Sequence, residues 1–150
     1  MRELAIGEGN VTVDLIRDGV SIHHEQGYNA LTTVGLADMM RRLVTLPTKR
    51  YEHAQLGNSS VAANSSQTAL LAAFTTVGKA TAATTALSGR TAIVIVNWTT
   101  DISKTGIDEA GLFTLRTTAG ATMMSRYVFA APISKATADT LKVSWKIKVS

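Results

Sequence analysis

Apolar and polar side chains alternate most regularly over the last eleven residues, Thr140 to Ser150. Leu141, Val143, Trp145, Ile147 and Val149 fall on one parity, and Lys142, Ser144, Lys146 and Lys148 on the other. Successive side chains of a strand point to opposite faces, so this stretch predicts a strand with one apolar and one cationic face. Large apolar side chains in register need a second layer over them, which the rest of the chain must supply. Arg90 to Thr100 predicts another strong strand, with Ala92, Val94, Val96 and Trp98 on one face and Ile93 and Ile95 on the other. Apolar residues on both faces predict a central strand, or one face buried against a partner.

The remaining signals are shorter. Residues 3–6 and 11–16 read as strands around the turn-forming cluster Gly7-Glu8-Gly9-Asn10, and Asp18-Gly19 turns the chain into a strand over 20–24. Asn29 reads as the cap of a main helix over 30–46, with Leu36, Met39, Met40 and Leu43 on one side. Arg41 and Arg42 fall where cations complement the helix dipole, Pro47 stops the element, and Gly35 would let its start slide to Thr33. Tyr51 to Leu56 predicts a strand closed by Gly57-Asn58, residues 59–67 a surface loop, and Gln67 to Phe74 a short helix capped by Ser66. The Thr- and Ala-rich stretch over 75–88 has little apolar bulk and reads as a poor edge strand or an extended arm.

Ile107 to Arg116 and Ala121 to Ala131 predict two strands joined by a hairpin turn at 117–120. Pro132 should end the second, and residues 133–139 lead into the final strand. Strands outnumber helices, and the last four are expected to pair in sequence order. The expected fold class is mainly β: an antiparallel sandwich or barrel, jelly-roll-like, with one main helix, in a single domain over residues 1–150.

Composition adds a constraint on the surface. Apolar residues make up 45%, as in ordinary globular chains, but charged residues only 17%. A surface so weakly charged predicts that neighbours cover part of it. The net charge is +4 and the basic residues are scattered, which does not point to nucleic acid. The absence of cysteine removes disulfide and thiolate chemistry. No stretch approaches the roughly 18 apolar residues of a membrane span, so no membrane partner is expected. Met1-Arg2-Glu3-Leu4 opens onto no long apolar core, so the start does not read as a signal peptide and folding in a cytosol is expected.

Candidate chemistry is sparse. His23 and His24 are adjacent and face opposite ways on a strand, and Asp108-Glu109 do the same, so neither pair can converge on a metal or a substrate. Gly7-Glu8-Gly9 lacks the third glycine and the following helix of a phosphate loop, and no nucleophile elbow of the Gly-x-Ser-x-Gly type occurs. No catalytic residue, metal or cofactor is therefore expected. The cationic stripe Lys142, Lys146 and Lys148 is the candidate partner-binding face. It could meet phosphates or an acidic protein surface, or simply be a solvated face whose charges discourage edge pairing. Single-stranded nucleic acid would want aromatic residues among these lysines, whereas Trp145 points to the apolar side. A carbohydrate- or receptor-binding sandwich would want exposed aromatics, and both Trp98 and Trp145 are expected in the core.

The order of motifs in the C-terminal part carries a resemblance. Ile107-Asp108-Glu109-Ala110-Gly111-Leu112-Phe113 is followed by Met123-Met124-Ser125-Arg126 with Phe129, then Ile133-Ser134-Lys135, then Asp139-Thr140-Leu141-Lys142-Val143-Ser144-Trp145-Lys146-Ile147. This resembles small structural proteins of tailed-bacteriophage virions, and Asn29 to Ala37 resembles their helix opening. Leu56-Gly57-Asn58 stands where they tend to carry Leu-Gly-Thr-Gly, so that loop is expected to differ. The resemblance spans residues 29–147. It implies a non-enzymatic virion component present in many copies, made in the host bacterial cytoplasm, with capsid, neck or tail proteins and further copies of itself as partners. Tail or neck accessory, fibre adaptor, and capsid decoration or cement protein all stay open. Gly111, inside a strand, should mark a bulge or a close backbone approach. Together with Trp98, Phe113, Phe129, Leu141, Val143, Trp145 and Ile147 it is expected to define the fold.

Overall fold

The computed structural model describes residues 8–45, 49–75, 78–99, 102–115 and 120–148. In chain order the elements are β1 (Glu8–Arg17), β2 (Val20–Tyr28), β3 (Ala30–Leu31), α1 (Thr33–Arg41), β4 (His53–Gly57), β5 (Lys79–Ser88), β6 (Thr91–Trp98), β7 (Lys104–Phe113), β8 (Met123–Lys135) and β9 (Thr140–Lys148). All strand pairs are antiparallel, and the nine strands run β2-β1-β9-β6-β5-β4-β7-β8-β3. The fold is mainly β, a nearly closed barrel-like sheet with one short helix, as the patterning predicts.

Closure comes from two devices. β5 pairs with β4 through Lys79–Thr81 and then with β6 through Ala82–Ser88, with a register shift between Ala82 and Thr84, so one strand turns the corner between the two halves. At the far edges, β2 runs almost directly into β3, and the Asn29 amide donates to the Gly9 carbonyl at 3.1 Å. Glu25 on β2 then accepts from the Tyr127 hydroxyl at 2.9 Å and the Ala130 amide at 3.2 Å on β8. The inner faces supply the core: Val11, Val13 and Leu15 of β1, Val94, Val96 and Trp98 of β6, and Leu141, Val143, Trp145 and Ile147 of β9 face Leu56, Leu112, Tyr127 and Phe129 of the other half. Trp145 is fully buried, and each such side chain withdrawn from water stabilises by about 1.5–3 kcal/mol.

Several local expectations change. The last four strands do not pair in order: β9 lies between β1 and β6, while β7 and β8 form a separate hairpin. The central position expected of β6 is observed, between β5 and β9. The stretch over 79–88 is a strand and not an arm: residues 79–81 pair with β4 and 82–88 with β6 alone, so its longer part is an exposed edge, one of the two readings expected. Pro132 does not end β8, which runs on to Lys135. It sits next to Ile133, where the β7–β8 register is broken, so its missing N–H interrupts no regular ladder. No helix follows Ser66; residues 67–72 are irregular, and two of their amides, those of Leu71 and Ala72, are taken by a side chain of β7 described below.

The helix is shorter than 30–46 and is capped by Thr32, not Asn29. Residues 30–31 are claimed by pairing with β8, and Thr32 Oγ1 then accepts from the Gly35 amide at 3.0 Å and donates to the Met123 carbonyl. Gly35 is the contact point: a Cβ there would lie 2.7 Å from Met124 Cα, so only glycine lets α1 lie this close to β8. Leu36 and Met39 pack on the core, but Met40 and Leu43 are exposed and the buried polar residue of the helix is Asp38. Pro47, the strand expected over 3–6 and residues 117–119 of the hairpin turn lie outside the described residues.

Candidate interaction site

Three arrangements stand out, and the first is the cationic stripe. Register places Lys142, Lys146 and Lys148 on the outer face of β9, flanked by β1 and β6. Lys142 stands between Asp14 and Asn97, Lys146 between Asn10 and Ile93, and Lys148 between Glu8 and Thr91. Lys146 and Lys148 are exposed and Lys142 is half-buried. Asp14 is engaged by His24 Nδ1 at 2.7 Å from β2. The stripe is a real surface feature, in the middle of a sheet and not at its edge, so its charges cannot serve to protect an edge strand. His23 and His24 diverge as expected, His23 Nε2 lying 3.0 Å from Glu25. Among the described residues no group of three or more His, Asp or Glu is gathered as a metal site would need.

The second arrangement is buried. Glu109 of β7 and Arg126 of β8 form an ion pair at 2.6 Å with neither side chain exposed. Both point outward from the barrel and are covered by the segment over 58–73. Glu109 accepts from the Ala72 amide at 2.8 Å and the Leu71 amide at 3.3 Å, while Arg126 donates to the Val61 carbonyl at 2.8 Å and to Gln67 Oε1 at 3.1 Å. Phe113 and Gly111 lie on the same covered face, where Phe113 packs with Leu70 and Met123 in a small satellite cluster. A Cβ on Gly111 would come within 2.8 Å of the Phe113 ring and 2.9 Å of Leu70, which is the close approach expected of that glycine. This pair is not legible in the sequence, where the only charged neighbour of Glu109 is Asp108. The partner lies across a hairpin whose register is irregular.

The third arrangement is an apolar pocket of about 240 Å³ at one mouth of the barrel. Its buried wall is Val94, Leu112, Met124 and Ile147, and Met39, Arg42, Arg50 and Tyr51 line it together with residues of β5 and β6. Asp38 organises this side. It accepts from Arg41 at 2.6 Å, Arg42 at 2.7 Å and the Tyr51 hydroxyl at 2.6 Å. Burial alone would raise the Asp38 carboxyl, but the hydrogen bonds from Arg41, Tyr51 and Arg42 outweigh it and hold the group well below the usual carboxylate range. Tyr51 is pushed up, by burial and then by its bond to Asp38. The Arg42 guanidinium also donates to the Lys49 carbonyl and lies 5.0 Å from the centre of the Tyr51 ring. Arg50 is exposed and makes no ion pair or hydrogen bond among the described residues. The spacing of Asp38, Arg41 and Arg42 was visible in the sequence as i, i+3 and i+4 on a helix. The arrival of Arg50, Tyr51 and β9 beside them was not.

No family model, no curated protein and no solved structure matches this chain.

Proposed function

We propose that the chain is a structural component of a tailed-bacteriophage virion, acting by contact with neighbouring copies and other virion proteins. The observation that carries a contact function is the exposed apolar surface. Val44 is 84% exposed, Tyr28 82%, Leu87 78% and Leu43 75%, on a protein whose charged content is only 17%. Adjoining exposed apolar side chains, such as Leu43 and Val44 just past α1, mark interaction surfaces. The virion setting rests on the motif resemblance over residues 29–147, whose phrases fall on β7, β8 and β9. A head, neck or tail position is left open by that resemblance, and the tail or neck accessory role is the reading taken here.

The test is incorporation of the tagged chain into particles. Lys146→Glu with Lys148→Glu replaces two exposed cations, and each should change the isolated fold by no more than about 0.5 kcal/mol. Lys142→Glu is best added last, since it would stand opposite Asp14 and set two carboxylates side by side across the strands. Loss of incorporation with an unchanged melting temperature supports docking through the outer face of β9. A wild-type chain that stays monomeric in sedimentation and never enters particles refutes the virion reading.

A further inference from the structure

Cations from three separate segments stand at the pocket on the barrel mouth. Arg42 and Arg50 line it directly. Arg90 lies in the β5–β6 turn, two residues before the pocket-lining Ala92. Leu87, opposite the pocket-lining Ala92, belongs to the same inner-facing row but is 78% exposed, so it extends the apolar surface past the end of the barrel. Among the described side chains, Asp38 is held by Arg41, Arg42 and Tyr51, and Glu52 adjoins Tyr51. An apolar hole inside a largely cationic rim is the negative image of an apolar side chain flanked by carboxylates.

Volume decides between occupants. Dedicated small-molecule sites run to about 300–1,000 Å³, and an apolar cavity of about 150 Å³ admits one benzene ring. At about 240 Å³ the pocket holds one large side chain and little more. The rim charges meanwhile come from three separate stretches, the end of α1, the segment after it and the β5–β6 turn. We infer that the mouth is an anchor site for an acidic segment of a protein partner, which inserts one Phe- or Trp-sized side chain between Met39, Val94, Leu112 and Ile147 and lays its carboxylates on Arg50 and Arg90. The inference rests on the contact function proposed above and names the chemistry of the partner.

Fluorescence anisotropy with the purified chain and a labelled peptide Asp-Glu-Phe-Glu-Asp tests it. The peptide should bind, and replacing its Phe by Ala should weaken binding at least about tenfold, as for a buried aromatic anchor. Replacing its acids by Gln, adding salt, or introducing Arg50→Glu should each weaken binding as well. Ala92→Leu, which fills the pocket, should erase the preference for Phe over Ala. If that variant melts early, Arg50→Glu at an exposed position carries the test alone. Equal affinity for the Phe and Ala peptides, or no binding of either, overturns the proposal. So does decanoate that binds more tightly than the peptide and displaces it, which would make the pocket a small-amphiphile site. Self-association abolished by Arg50→Glu, with no peptide binding, would assign the pocket to a second copy and also overturn it. Particle incorporation reads the assembly function separately: a chain that binds the peptide but never enters particles refutes the virion reading and leaves this inference standing.

Discussion

Replacing Arg126 by Met removes the guanidinium and leaves much of the aliphatic stem in place. Glu109 is then a carboxylate with no exposure, holding only the Leu71 and Ala72 amides, and the Val61 carbonyl and Gln67 lose their donor. Stripping one partner from a buried ion pair costs about 3–5 kcal/mol, because the remaining charge is uncompensated. Against a total stability of about 5–15 kcal/mol this is a large fraction, and for a chain of this size it lowers Tm by roughly 6–20 °C. Glu109→Gln should also destabilise, and the double variant Arg126→Met/Glu109→Gln should cost less than the sum of the two by about 0.5–3 kcal/mol. Urea denaturation measures all three, with an unchanged m-value showing that the same surface unfolds. Hydrogen exchange gives the local reading: the Leu71 and Ala72 amides should lose protection in Arg126→Met before the β1 and β9 amides do. A cost under about 1 kcal/mol for Arg126→Met, or strict additivity in the cycle, would refute the claim that this pair fastens the 58–73 segment to the barrel.

Trp145→Ala empties the centre of the core and should cost about 3–5 kcal/mol, read as a fall in the urea midpoint; a shift of a degree or two in Tm would contradict its placement. Trp98→Ala should behave alike. Gly111→Val gains strand propensity but forces Phe113 and Leu70 apart, so calorimetry should show destabilisation of about 1–3 kcal/mol, and a gain would show that the covering segment yields freely. Asp139 accepts both nitrogens of Arg17 at 2.8 Å and the Ala136 amide at 2.9 Å, with the Arg17 bond foremost in pushing its carboxyl down to about 2. Its folded value lies below the unfolded value of about 3.9, so this contribution is present above pH 4 and lost as pH falls towards 2. Asp139→Asn should flatten the acid limb of the stability curve, and an unchanged limb would remove Asp139 as its source.

The elements whose periodicity answers to one buried face were legible in the chain itself. β9 falls over 140–148 and β6 over 91–98, as their alternation requires, and Asp18-Gly19 marks the turn between β1 and β2. Trp98, Phe129, Leu141, Val143, Trp145 and Ile147 are all buried in the main core, because a period of two fixes which face an apolar row must hide. Local preference misled where long-range pairing competed for the same residues. Asn29 is a good cap in isolation, yet β8 captures Ala30 and Leu31 and moves the cap to Thr32. Residues 67–74 favour helix, yet the segment is irregular, and Glu109, almost forty positions away, takes two of its amides. Pro132 reads as a stop, yet it is tolerated where the β7–β8 register breaks.

Strand order was beyond the reach of pattern, since alternation says which face is buried and nothing about which strand lies alongside. Only the closed tertiary arrangement puts β9 between β1 and β6, which turns the lysine stripe into a mid-sheet surface. The same arrangement brings Arg42, Arg50 and Arg90, dispersed over almost fifty residues, to one end of the barrel. The chain alone therefore determined the buried faces, through short-range periodicity and the cost of leaving apolar surface in water. The ion pair, the pocket and its cationic rim were decided by strand order and register, which depend on contacts distant in sequence.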